Sequence, residues 1–437
     1  MTFPFASDAT YRDDLRSAYA GNPMIEALPA RIPDSQLVKR LSSFPEDYPL
    51  PGDLNQWERL DRLDDLHYLY LPPPELLEAY NEIYNLIQGS YRFRNPLDPE
   101  HRRMITQICR TGDSVKKHNR TSALTGLILG LSGTGKTTMI RNALALLPPV
   151  ICHNGYRGQP LIQKQVLYLL VDCPARASKK SLLLNILEAI DAHAGTDYGS
   201  QYQKGYNIDQ LKQAINKTCA NLYIGTLIVD EIQNFAPTQG ADENKATLRF
   251  MDDLFNKLGI PIVLIGTFES DSIFTRQFTT SRRTGTAFKM ELGRYSFTQS
   301  SDISSKSSKM PWEMHDYWSI LVLKMWSYQW GAKHTELTEE IYDFLCEISQ
   351  GLPALLKLLL YHANRFVVKS GQPRLTIEIL KHVYNVGMKR QFGAAIRKLK
   401  NGDLKGYDSI LLRDKVTYAG SYDEVAHVID KHFGERR

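Results

Sequence analysis

Between residues 125 and 267 the chain repeats one pattern: a short, unbroken apolar run, then a longer stretch with apolar residues at helical spacing. The runs are "TGLILG" (125–130), "QVLYLLVDC" (165–173), "GTLIVDE" (225–231) and "IPIVLIGT" (260–267). Each is bounded by Gly, Pro or polar residues and lacks the alternation of a half-solvated strand. Each therefore predicts a strand covered on both faces, as in a parallel sheet. Between them "SKKSLLLNILEAIDAHAG" and "ENKATLRFMDDLFNKLG" predict helices, the second ending at Gly259. Strands alternating with crossover helices make an α/β order.

The flanks have other textures. Proline-rich "YPLPGDLNQ" and "LYLPPPELLEAY" break the first 75 residues into short elements. They lead into a helix carrying Leu76, Leu77, Tyr80, Ile83, Tyr84 and Ile87 on one face, with Gly89 as its expected stop. After Tyr295 comes the serine-rich "SFTQSSDISSKSSKM", then residues 313–400 with helical spacing only. The expected organisation is an N-terminal extension (1–100), an α/β core (101–297), a linker (298–312), a helical unit (313–405) and a tail (406–437).

Composition narrows the class. A chain of 437 residues with 43% apolar and 23% charged positions is a folded protein of more than one unit. No basic start followed by an apolar run opens it, and no segment nears the roughly 18 apolar residues of a membrane span, so a cytoplasmic location without membrane contact is expected. Cys109, Cys152, Cys173, Cys219 and Cys346 are scattered without metal-site spacing and read as reduced thiols. The net charge of +5 is uneven: residues 1–100 carry 9 Lys+Arg against 17 Asp+Glu, the rest 44 against 31. An acidic beginning thus joins a basic body that suits a polyanion.

The sharpest chemistry is "GLSGTGKTT", Gly130 to Thr138, which follows an apolar run and opens a helix. In such a loop Gly130, Ser132, Gly133, Thr134, Gly135 and Thr138 contribute the backbone curl that cradles phosphates. Lys136 meets the β and γ phosphates and Thr137 meets Mg²⁺. Further on, "TLIVDEIQ" ends a buried strand in two acids. Asp230 is the expected partner of that Mg²⁺, and Glu231 is placed to polarise a water. Together they predict ATP hydrolysis. Thr267, at the tip of the last run, is a candidate to hold the water or the γ-phosphate. Arg282 and Arg283, in "TTSRRTGT", fall 15 and 16 residues beyond it. They predict an arginine finger acting on a neighbouring subunit's nucleotide, with Arg276 the lesser candidate. In "SQGLPALLKLL", Lys357 is a candidate sensor of the γ-phosphate.

Phosphate loop, DE strand, polar strand tip, arginine pair and helical lid follow in the order of an AAA+ ATPase. The segments "AYAGNPMIEALP" (19–29), "GSYRFRNP" (89–96), "LGLSGTGKTT", "VLYLLVDCP", "LIVDEIQN", "PIVLIGT", "IFTRQFTTSRRTGTAF", "ISQGLPALLKLL" and "LTIEILKHVY" further resemble the TnsC/TniB family of transposition regulators, in register from about residue 10 to about 405. The resemblance implies an AAA+ P-loop core with a parallel sheet and helices on both faces, a C-terminal all-helical lid and an N-terminal extension. It implies ATP and Mg²⁺ as cofactors, assembly into rings or filaments round double-stranded DNA, recruitment by a target-selection protein and signalling to transposase subunits. DNA in such assemblies is held by its backbone, which makes Lys179, Lys180 and Lys204 candidates. The alternative within the same core is a helicase loader or another replication-type DNA-remodelling ATPase.

Overall fold

The computed structural model describes residues 6–16, 18–44, 53–113, 124–174, 178–235, 250–251, 253–254, 258–271, 286–297 and 316–413. Arg276, Arg282 and Arg283, most of the serine-rich segment and the tail beyond Arg413 lie outside these residues. By compactness the chain divides into two units. One comprises Met1–Ile32, Glu75–Gly130 and Lys136–Glu291, the other Pro33–Pro74, Leu131–Gly135 and Leu292–Arg437. Residues 1–100 are therefore shared between the two.

The strands in chain order are β1 (Ala6–Asp8), β2 (Thr125–Gly130), β3 (Val150–His153), β4 (Gln163–Val166), β5 (Tyr168–Asp172), β6 (Thr226–Asp230), β7 (Ile262–Gly266) and β8 (Thr286–Leu292). In the first unit β5, β6, β7, β2 and β8 form one sheet in that order, with β5, β6, β7 and β2 paired in parallel. Every residue of β2, β6 and β7 is buried, as their unbroken apolar character predicts. The run at 165–173 is two strands. The chain turns at Leu167, leaving β4 in a second sheet with β3 and β1, where β4 is antiparallel to β3. A continuous apolar run carries no mark of such a corner, because both strands bury residues on either side of it.

Helices cover the main sheet. The Lys179–Ala194 helix starts on a Ser178 cap and ends at Gly195 with φ 67°, and it buries Leu182, Leu183, Ile186, Leu187 and Ile190 in the same core as Leu169, Leu227 and Leu264. The Glu75–Tyr91 helix runs through Gly89 instead of stopping there. The reason is tertiary: Tyr91 is fully buried, and its hydroxyl donates to the carbonyl of Tyr223 at 2.8 Å. Beside it the buried Arg94 guanidinium donates to Ile224 O at 2.7 Å and to Cys219 O at 3.4 Å, lying over the Tyr91 and Tyr223 rings. Asn22 donates to Tyr91 O, while buried Glu26 accepts from the Tyr156 hydroxyl at 2.8 Å and from Arg157 at 3.1 Å. The "GNPMIEALP" and "GSYRFRNP" segments are thus fastenings of the first unit.

The second unit is helical. It contains Tyr317–Ser327, Glu339–Ser349, Pro353–Ser370, Ile377–Val383, Lys389–Lys400 and Leu404–Arg413, with a π-helical turn at Tyr384–Met388. Gln56–Arg62 and Asp65–Tyr68, from the N-terminal stretch, belong to it. Leu63 packs with Trp330 and Val368, and Gln56 donates to Val368 O at 3.0 Å. All five cysteines are free thiols, and no described helix is long and apolar enough to cross a membrane.

Candidate functional site

In the first unit β6 carries its two acids to the carboxyl end of a parallel sheet, where α/β proteins place ligands. Asp230 is 1% exposed. One of its oxygens accepts from the Thr137 hydroxyl at 2.6 Å and the other from the Glu231 N–H at 2.7 Å. Thr137 stands in the first turn of Lys136–Ala145, so the hydroxyl and carboxylate expected to meet Mg²⁺ are brought together across about 90 residues of sequence. Burial pushes the Asp230 carboxyl above its usual range, a cost that a cation at this point offsets. Among the described residues no cluster of three His, Cys, Asp or Glu gathers. This donor set fits Mg²⁺ that arrives with phosphate and water oxygens around one or two protein groups.

The phosphate loop has the needed backbone. Gly133 at φ 85° and Gly135 at φ 92° occupy the left-handed region open to glycine, which turns successive N–H groups inwards. The Lys136 ammonium donates to Gly130 O at 2.8 Å. Thr134 is buried, its hydroxyl donating to Leu131 O at 2.9 Å, whereas Thr138 is exposed.

Glu231 is held by its neighbours. Its φ of 56° is left-handed, rare for a residue with a side chain, and its carbonyl accepts from Asn234 N at 2.9 Å in the turn Ile232–Phe235. Burial, and then the charge of Asp230, raise the Glu231 carboxyl. The Gln233 amide donates to Glu231, and its oxygen accepts from the Thr267 N–H at 3.2 Å. One side chain therefore ties the acid to the tip of β7. This approach needs Gly266, where a Cβ would stand 2.6 Å from Ile232 Cγ2 and 2.9 Å from Gln233 Oε1. The hydroxyls of Thr267 and Ser270 are buried without a hydrogen-bond partner among the described residues. Gln233 and Ser270 escaped the sequence reading. The only signal for Gln233 was its place two residues after Glu231.

The remaining candidates have other partners. Lys357 belongs to the second unit, where its ammonium donates to His67 O and Leu69 O at 3.3 and 3.4 Å, and burial lowers its pKa to about 8. Lys179 and Lys180 are half-buried in the first turn of their helix, Lys179 lying 5.8 Å over the Phe250 ring, while Lys204 is exposed beyond the far end. That helix has 16 residues, so roughly 24 Å of rise separates its ends.

The sheet order, the phosphate loop and the acids of β6 define a P-loop nucleoside triphosphatase core of AAA+ architecture, continued by an all-helical C-terminal region. Residues 119–274 match the family model of the AAA domain. A search of curated proteins finds no match. Among solved structures the chain is similar to Aeropyrum pernix ORC1 in complex with DNA, at 15% identity and a TM-score of 0.40 over 78% of this chain and 72% of that one. It is also similar to Cdc6p from Pyrobaculum aerophilum (15%, 0.40, 84% and 89%) and to the Thermotoga maritima RuvB Holliday junction branch migration motor (11%, 0.32, 78% and 89%).

Proposed function

We propose that the protein is a Mg²⁺-dependent ATPase that assembles on double-stranded DNA when it holds ATP and releases that assembly by hydrolysis. The observation that carries the catalytic part is the continuous chain Thr137–Asp230–Glu231–Gln233–Thr267. Mg²⁺–ATP supplies the phosphoryl group and neutralises its charge, and the residues do the rest. Lys136 and the loop N–H groups bind phosphate oxygens, and Thr137 and Asp230 hold the ion. Glu231, raised by burial, orients the attacking water and accepts its proton, and Gln233 fixes the direction in which that carboxylate points. The buried Thr267 hydroxyl, without a partner among the described residues, suits a water or γ-phosphate oxygen. Arg282 or Arg283 acts on a neighbouring subunit's nucleotide, and Lys179, Lys180 and Lys204 meet DNA phosphates.

The finer role has two readings. The segments shared with the TnsC/TniB family support a transposition regulator that links a target-selection protein to transposase subunits. The same ATP-binding core and basic body would also serve a helicase loader or replication-type remodeller. Electron microscopy of the protein with duplex or single-stranded DNA, with and without a non-hydrolysable ATP analogue, separates them. Rings or filaments on duplex only with nucleotide support the first reading, and preference for single strands supports the loader. In Glu231→Gln, assembly should persist in ATP while turnover falls at least a hundredfold. A mutant that hydrolyses at the parent rate removes Glu231 from its role.

A further inference from the structure

The phosphate loop is gripped at Ser132. Residues Leu131–Gly135 group with the second unit, and within that unit two successive residues of the Leu404–Arg413 helix hold the two backbone polar groups of Ser132. The Asp408 carboxylate accepts from Ser132 N at 2.9 Å, and the Tyr407 hydroxyl donates to Ser132 O at 3.1 Å. Both side chains are fully buried. Next to them Gly133 O accepts from Ala354 N at 3.3 Å, and Leu131 N donates to Leu292 O at 3.3 Å.

We propose that the Leu404–Arg413 helix braces the phosphate loop, with Asp408 and Tyr407 as positioning residues for nucleotide binding. A loop with two left-handed glycines has many conformations to lose, and phosphate is bound well only where its N–H groups are already aimed. A charge-assisted hydrogen bond on Ser132 N and a phenol on Ser132 O remove that freedom. The effect of Asp408 passes through Ser132, whose N–H donates to its carboxylate. The brace makes nucleotide affinity depend on a helix some 270 residues downstream of the loop. The inference rests on the nucleotide-binding reading above and adds residues that the phosphate-loop motif does not contain.

The test combines titration of the full chain with a fluorescent ATP analogue and hydrogen exchange of the phosphate-loop amides without nucleotide. In Asp408→Ala the dissociation constant should rise about tenfold and the loop amides should exchange faster, while peptides of the β5–β6–β7 sheet keep their protection. Asp408→Asn retains an acceptor for Ser132 N and should restore most of both. Tyr407→Phe, which removes one hydroxyl, should shift both in the same direction by a smaller factor, and it carries the test if Asp408→Ala does not fold. Parent-like affinity and exchange in Asp408→Ala and Tyr407→Phe overturn the proposal, as does tighter binding in Asp408→Ala, which would make the carboxylate a block. If the parent chain binds no nucleotide, the ATPase reading fails on its own, and the exchange measurement still decides whether the brace exists.

Discussion

A left-handed glutamate at the end of a buried strand costs on the order of 1–3 kcal/mol, and such strain persists where surrounding contacts fix it. Around Glu231 those contacts are Asp230 on its N–H, Asn234 on its carbonyl and Gln233 on its carboxylate. Replacing Gln233 by Ala frees the carboxylate and leaves the buried Thr267 N–H without its acceptor. We expect kcat to fall roughly 10–100-fold with little change in KM for ATP, a loss of about 1–3 kcal/mol that falls on the transition state. Steady-state kinetics decides it, and an unchanged kcat would make Gln233 a plain turn residue. The meeting of Thr137 with Asp230 could be expected from the sequence because a phosphate loop and an acidic strand end are both marked by their own short patterns. The part of Gln233 could not, because what gives it meaning is Thr267, on another strand, and a glycine at 266 that lets it approach.

At the scale of elements, the all-buried strands β2, β6 and β7 could be read directly, since each is a short apolar run closed off by Gly, Pro or polar residues. What could not be read was decided by tertiary contacts. The corner at Leu167 divides one apolar run between two sheets, and the burial of Tyr91 carries a helix past Gly89. Lys357 belongs to the same class. Helical spacing marked it as a cation on an amphipathic helix, and its place against the last carbonyls of the short Asp65–Tyr68 helix came from residues nearly 300 positions away. Its folded pKa, about 8, lies below the unfolded value, so the folded state binds fewer protons between about pH 8 and 10.5. Stability in that window therefore rises with pH, and the full burial cost is present below pH 8. Lys357→Met should accordingly be more stable than the parent by roughly 2 kcal/mol at pH 7, with the gap closing by pH 10. Denaturant unfolding at the two pH values measures it, and a gap that does not change with pH would sink the argument.

At the scale of the molecule, the chain passes from one unit to the other at residues 32–33, 74–75, 130–131, 135–136 and 291–292. The acidic N-terminal hundred residues, expected as a separate extension, supply fastenings to both. Charge and proline content gave no warning, because the fastening is done by the buried Asn22, Glu26, Tyr91 and Arg94, whose fastening partners lie 69 or more positions away along the chain. Residues 119–274 produced alone lose Arg94 and Tyr91, leaving buried carbonyls of Cys219, Tyr223 and Ile224 without those donors. We expect that fragment to show no cooperative thermal transition by circular dichroism. A sharp transition with nucleotide binding would mean that the fastenings are dispensable.

The Arg94 and Glu26 fastenings also bear on inheritance. A recombination joint at the N-terminal border of the AAA match would separate Arg94 from the carbonyls it satisfies and Glu26 from Tyr156 and Arg157. A core exchanged at that joint would leave those buried groups without their partners. Descent of this core is thereby tied to descent of the two N-terminal segments that fasten it.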